Sequence, residues 1–158
     1  FNIQDPVKMS VDDKGIDFIK SEEKLRLEAY SIGDGMVTIG YGHAEPIKKS
    51  KYKVGDKISK EKAERIFQKD LKMAEKGVKR IFKQWKKQGI NIYLTPNQFN
   101  SLVSMAFNMG VSGLRQTEMI QLVKKRDMKG AKERIKTTGV EDEFSGLSKR
   151  RIKESAMV

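Results

Sequence analysis

The chain has 158 residues, of which 37% are hydrophobic, enough for one globular domain with a true core and too few for two independent ones. It has no cysteine and one histidine, which excludes disulfides, thiolate metal sites and a multi-histidine metal centre; no metal and no cofactor is expected. A net charge of +12 favours polyanions as partners. Nucleic acid, an anionic membrane surface and a bacterial wall with its phosphate polymers all fit, as does a plain lysine-rich solvated surface.

No apolar run approaches the roughly 18 residues of a membrane span. The N-terminus lacks a basic region followed by an apolar stretch, so no signal peptide is expected. Because the first residue is Phe1 and not methionine, the expectation is a trimmed or processed chain. Residues 1–9 show no periodicity and include Pro6; they read as an arm or linker preceding a domain over 10–158. Ser10 is the expected N-cap of a helix over 11–22, with Ile16 and Ile19 inward and Glu23 at or just past its end.

From Leu25 to Ile39 the pattern changes to period two. Leu25, Leu27 and Ala29 alternate with polar neighbours, Gly33-Asp34-Gly35 marks a turn, and Met36 to Ile39 reads as the returning strand. Gly40, Gly42 and Pro46 are expected to end this hairpin, which lies in a small β-lobe of two or three strands over about 24–58. A helical lobe follows over about 59–158. Ser59 caps a long helix whose stripe Ala63, Ile66, Phe67, Leu71, Ala74, Val78, Ile81 and Phe82 lasts about six turns, weakened at Gly77 and closed at Gly89. Thr95-Pro96 starts a buried helix that ends at Asn108-Met109-Gly110. Further helices are expected over about 117–125, over 128–137 and from Gly146 onward. The fold class is therefore α+β and mainly α.

The stretch from Glu23 to His43 concentrates chemistry: an acid at a helix end, Asp34 in a turn, the Thr38 hydroxyl, Tyr30, Tyr41 and the sole histidine. Four blocks resemble the phage-type lysozyme family of glycoside hydrolases. They are Glu23 to Tyr30 with Thr38-Ile39-Gly40-Tyr41-Gly42-His43; Ala63, Phe67 and Asp70-Leu71; Gln98 to Gly110; and Gly146-Leu147 with Arg150-Arg151 and Glu154. The resemblance implies a two-lobed lysozyme-like fold in which the long helix links the lobes. It also implies cleavage of the β-1,4 bond between N-acetylmuramic acid and N-acetylglucosamine in peptidoglycan.

The family spaces a glutamate, eight residues, an aspartate or cysteine, five residues and a threonine. Glu23 and Thr38 match this motif, but the middle position is Ile32. The resemblance makes Glu23 the general acid, whose pKa burial would raise and a cationic partner would lower. Thr38 is expected to hold the attacking water, against a plain β-propensity reading. Asp34 either supplies the missing carboxylate or is only a turn former.

His43 is expected to pair with Asp70 and tie the β-lobe to the long helix. Either Arg150 or Arg151 is expected to pair with Glu23. Phe107, Asn108 and Thr117 fall where the family lines its saccharide cleft, although Phe107 reads nearly as well as core; Tyr30 and Tyr41 are expected to present a ring or hydroxyl to sugar. Two alternatives are lytic-transglycosylase chemistry, in which the sugar's own 6-hydroxyl attacks, and a degenerate peptidoglycan-binding module. No recognition motif supports a specific nucleic-acid partner. A monomer is expected, acting at the bacterial cell wall after phage-encoded export, secretion or delivery by a particle.

Overall fold

The computed structural model describes residues 2–141 and 145–158. The described chain forms helices α1 (Asp13–Glu23), α2 (Lys60–Lys87), α3 (Pro96–Met109), α4 (Val111–Arg115), α5 (Glu118–Lys124), α6 (Met128–Ile135) and α7 (Gly146–Ala156). One antiparallel sheet, ordered β1-β2-β3, holds strands β1 (Arg26–Tyr30), β2 (Met36–Gly40) and β3 (His43–Pro46). The chain divides into two compact units, one of residues 17–73 and one of residues 1–16 with 74–158. The division falls inside α1 and α2, where the sequence reading places it between residues 58 and 59, because each of these helices contributes to both units.

In the smaller unit, β1 pairs with β2 through Tyr30 opposite Thr38 and Arg26 opposite Gly40, with an irregularity between them. Ala29, Val37 and Ile39 form the buried face, joined by Tyr52 and Ile58. Glycines at 40 and 42 do not end the sheet. The chain turns at Tyr41-Gly42 and returns as β3, with His43 opposite Ile39 and Ala44 opposite Thr38. Residues 60–73 of α2 belong to this unit and bury Ala63, Phe67 and Leu71. Ser59 caps α2, its hydroxyl accepting from the Lys62 amide at 3.1 Å.

The larger unit corrects the reading of residues 1–9 as an arm, except at Phe1, which lies outside the described residues. Gln4 exchanges two backbone hydrogen bonds with Leu94, Lys86 Nζ lies 2.8 Å from Asp5, Pro6–Lys8 form a 3₁₀ turn, and Met9 is buried. The cap of α1 is Asp12 and not Ser10. Asp12 Oδ1 accepts from the Gly15 amide at 3.0 Å and is itself held by Asn100 Nδ2 at 2.7 Å, so the helix starts two residues later than expected.

The core of this unit is α3, buried continuously from Phe99 to Ala106 and started by a reciprocal Thr95–Gln98 capping box. Residues 74–87 of α2 bury Ala74, Val78, Ile81, Phe82 and Trp85. Gly77 is required by packing: a Cβ there would collide with the Val111 side chain at the start of α4. The short helix α4 was not expected from the sequence.

Candidate active site

Glu23 is the last residue of α1 and is half-buried. The next residue, Lys24, has φ 54°, a left-handed conformation uncommon for a residue with a side chain, and it throws the chain out of the helix into β1. The Glu23 side chain lies over Gly42 in the turn between β2 and β3. A Cβ at Gly42 would run into the carboxylate and stand 3.2 Å from its carboxyl carbon. Gly42 also has φ 73°, so a side chain is opposed there twice. Gly42→Ala is expected to cost about 1–2 kcal/mol in chemical denaturation from backbone strain alone, and to displace the Glu23 carboxylate.

Thr38 sits at the middle of β2, half-buried, between Val37 and Ile39, whose side chains face the core. Strand alternation places Thr38 on the opposite face, beside its register partners Tyr30 and Ala44. One face of the Tyr30 ring is covered by the Arg26 guanidinium, 4.3 Å from the ring centre. Tyr41 is committed to packing: its ring meets Phe67 edge-on at 5.2 Å, with Lys20 Nζ over both rings.

The hairpin tip is plain in its chemistry. Asp34 is exposed and its Oδ1 accepts from the Met36 amide at 3.1 Å, an Asx turn between two glycines of positive φ. Ile32 is 78% exposed.

His43 Nδ1 lies 2.7 Å from Asp70 Oδ2, and its Nε2 lies 2.8 Å from Glu45 Oε2. The Glu45 contact was missed in the sequence, although residues two apart on a strand share a face. Glu45 is also held by the Ser50 hydroxyl at 3.0 Å and the Lys51 amide at 2.9 Å. The Asp70 hydrogen bond, supported by Glu45 and opposed by partial burial, raises the His43 pKa from 6.5 to about 8. The His43 contact, with help from Lys51 and Ser50, lowers that of Glu45 to about 2.

A raised histidine pKa stabilises the fold fully below pH 6.5 and loses that contribution as pH rises through 8. Urea denaturation should therefore show the advantage of wild type over His43→Gln shrinking by about 2 kcal/mol from slightly acid to alkaline pH. The Glu45 contribution runs the other way, present above pH 4.5 and lost as pH falls toward 2.

In the larger unit, Arg150, Arg151 and Glu154 of α7 form a buried charge network with α3. Glu154 is 0% exposed, Arg151 1% and Arg150 6%. Glu154 Oε2 accepts from the Ser104 hydroxyl and, at 3.3 Å, from Arg150 Nε; its Oε1 accepts from Arg151 Nη1. Arg150 Nη2 also donates to the Ser104 carbonyl at 3.2 Å. Arg151 donates from Nε to the Thr138 carbonyl at 3.1 Å and from Nη2 to Asn108 Oδ1. All three Arg151 nitrogens are thus engaged inside this unit, and Asn108, exposed at the end of α3, is oriented by one of them.

Phe107, beside it, is half-buried. Thr117 is the N-cap of α5: its hydroxyl donates to the Leu114 carbonyl at 2.8 Å and accepts from the Ile120 amide at 3.2 Å. It lines a depression of about 430 Å³ with Gln116, Arg134 and Thr138. No group of three metal-ligating side chains occurs among the described residues.

Residues 20–154 match the Phage lysozyme family. The chain belongs to this family. Its mainly helical fold with a small three-stranded sheet is the lysozyme fold of its structural neighbours. The endolysin of Acyrthosiphon pisum secondary endosymbiont phage 1 is 29% identical over 155 residues, covering 94% of this chain and 97% of its own. The muramidase domain of SpmX from Asticaccaulis excentricus superposes with a TM-score of 0.76 at 27% identity, covering 95% of this chain and 97% of its own. The endolysin from Escherichia coli O157:H7 phage FAHEc1 gives a TM-score of 0.75 at 29% identity, covering 95% and 93%. As a phage-type lysozyme the protein is a glycoside hydrolase that cleaves peptidoglycan, and it acts on the bacterial cell wall. No helix among the described residues is long and apolar enough to cross a membrane.

Proposed function

We propose that this lysozyme cleaves the β-1,4 bond between N-acetylmuramic acid and N-acetylglucosamine, with Glu23 as the general acid. The observation that carries the proposal is the placement of the Glu23 carboxylate on the Gly42 backbone, at the turn that follows the Thr38 strand. Glycoside cleavage needs a proton on the leaving oxygen and a nucleophile at the anomeric carbon. In this reading Glu23 gives its proton to the glycosidic oxygen, and the Thr38 hydroxyl positions the attacking water. Tyr30, on the face that carries Thr38, and Phe107 and Asn108 of α3 are the saccharide contacts. Tyr41 and Thr117 are assigned to packing and capping, which their contacts already account for. His43 and Asp70 position β3 against α2 within the smaller unit.

A second reading is favoured by the hairpin tip, where Ile32 has no ionisable group and Asp34 is spent on its turn. If no second carboxylate activates water, the muramic acid 6-hydroxyl can attack the anomeric carbon, leaving a 1,6-anhydro end. Mass spectrometry of the released fragments separates the two reactions. Reducing ends are expected; 1,6-anhydro ends would replace hydrolysis by transglycosylation, and release of no fragments would defeat both. Asp34→Asn keeps an oxygen for the Met36 amide and removes the charge, so it is expected to leave the rate of wall clearing unchanged. A large loss would return Asp34 to the mechanism.

A further inference from the structure

The +12 charge is not spread evenly over the fold. From Lys76 to Lys87 the chain contains six cations and no acid. One face of this half of α2 is buried through Val78, Ile81, Phe82 and Trp85. The other carries Lys76, Lys79, Arg80, Lys83 and Lys87, which with Val7 and Gln84 line an open groove of about 510 Å³. Among the described residues no carboxylate lines it.

The nearby acids are engaged elsewhere. Asp5 is paired with Lys86, the sixth cation, and Glu75 accepts from the Val11 amide at 3.2 Å. Gln84 is held by Arg115 at 2.7 Å. Lys76 and Arg80, Lys79 and Lys83, and Lys83 and Lys87 are like charges four residues apart, an arrangement that weakens an isolated helix. Successive turns stand about 5.4 Å apart, within the roughly 8 Å screening length of physiological salt, so their fields add.

We propose that this groove binds a phosphodiester polymer of the bacterial wall and holds the enzyme on its substrate. The cations run for about 16 Å along α2, which suits a chain of repeated negative charges better than a single small anion. Arginine and lysine together suit phosphate, the guanidinium by paired hydrogen bonds and the ammonium groups as point charges. The groove offers no aromatic side chain for bases to stack on, which sets it apart from a single-strand nucleic-acid site. The proposal rests on peptidoglycan as substrate but not on the role of Glu23.

The test compares wild type with the triple variant Lys79→Gln, Arg80→Gln, Lys83→Gln. All three side chains lie outside the proposed catalytic machinery, and matching thermal midpoints verify the fold. Cold co-sedimentation is measured on purified walls that keep their covalently attached polyol-phosphate polymer and on the same walls stripped of it by acid. Stripped walls retain their peptide carboxylates, so the pair separates phosphate from carboxylate as the ligand.

Wild type is expected to bind the polymer-bearing wall at least tenfold more tightly, with a steep salt dependence. The triple variant should lose that increment and lower the salt slope by about two to three, while cleaving stripped walls at the wild-type rate. Equal wild-type binding to both walls overturns the proposal, as does an unchanged increment in the variant. Loss of duplex DNA binding by the variant with wall binding intact overturns it in favour of nucleic acid. Reduced cleavage of stripped walls also overturns it, because the groove would then belong to the reaction itself.

Discussion

Glu23→Gln is expected to lower peptidoglycan cleavage by about 10²–10⁴-fold, the contribution of a positioned general acid. Glutamine reproduces the shape that packs over Gly42 but has no proton to give at the glycosidic oxygen. The expected signature is a loss in kcat with wall binding retained, since the proton is needed only as the bond breaks. Glu23→Asp should also be poor, because shortening the chain by one methylene draws the acid back from the bond. Thr38→Val adds the discriminating arm. If Thr38 holds a water nucleophile, loss of its hydroxyl lowers the rate; if the sugar's own 6-hydroxyl attacks, the rate is indifferent to it. Wild-type rates in Glu23→Gln would mean that the proton comes from another group and would overturn the assignment.

How much of this was legible in the chain depends on the range of the interaction that decides each feature. The α2 stripe, the Thr95-Pro96 start of α3 and the Gly33-Asp34-Gly35 turn are specified by near neighbours and stand where the sequence puts them. The cap of α1 does not, because Asp12 is selected over Ser10 by Asn100, 88 positions away. The order of residues 2–9 comes likewise from Leu94 and Lys86. Helix α4 is only five residues long, too short to show a helical period. The sequence allows a third strand without placing it, because Gly40 and Gly42 read as terminators but act as a turn, with φ 69° and 73°. At the candidate site, Glu23 and Thr38 are found by spacing within the family pattern, whereas Gly42 gains its meaning only when the Glu23 side chain is seen above it. The spacing of Arg150, Arg151 and Glu154 carried a readable signal, since residues three and four apart share a helix face. Their further partners Ser104 and Thr138 did not.

That α7 network yields the largest expected effect on stability. Glu154→Gln should cost about 3–5 kcal/mol, the usual result of removing one member of a buried ion pair, and lower the thermal midpoint by roughly 10 °C or more for a chain of this size. The glutamine fills the same space, so the loss is electrostatic and not a cavity. Arg151, 1% exposed, would be left with neutral acceptors only: the Thr138 carbonyl, the Asn108 amide oxygen and the new glutamine. Ser104→Ala removes one neutral donor to the same carboxylate and should cost less, about 1–3 kcal/mol. Arg151→Met alone should be comparably damaging to Glu154→Gln, because it strips a guanidinium from a carboxylate with no exposure to water. The double variant Arg151→Met, Glu154→Met should lose less than the sum of its single changes, since it removes both charges together and leaves an apolar fill. Additive losses would show that the two side chains are not energetically coupled. Because Arg151 also orients Asn108, the single Arg151 variant should raise KM for peptidoglycan at temperatures where it is still folded, joining the stability of α7 to the saccharide contact proposed at the end of α3.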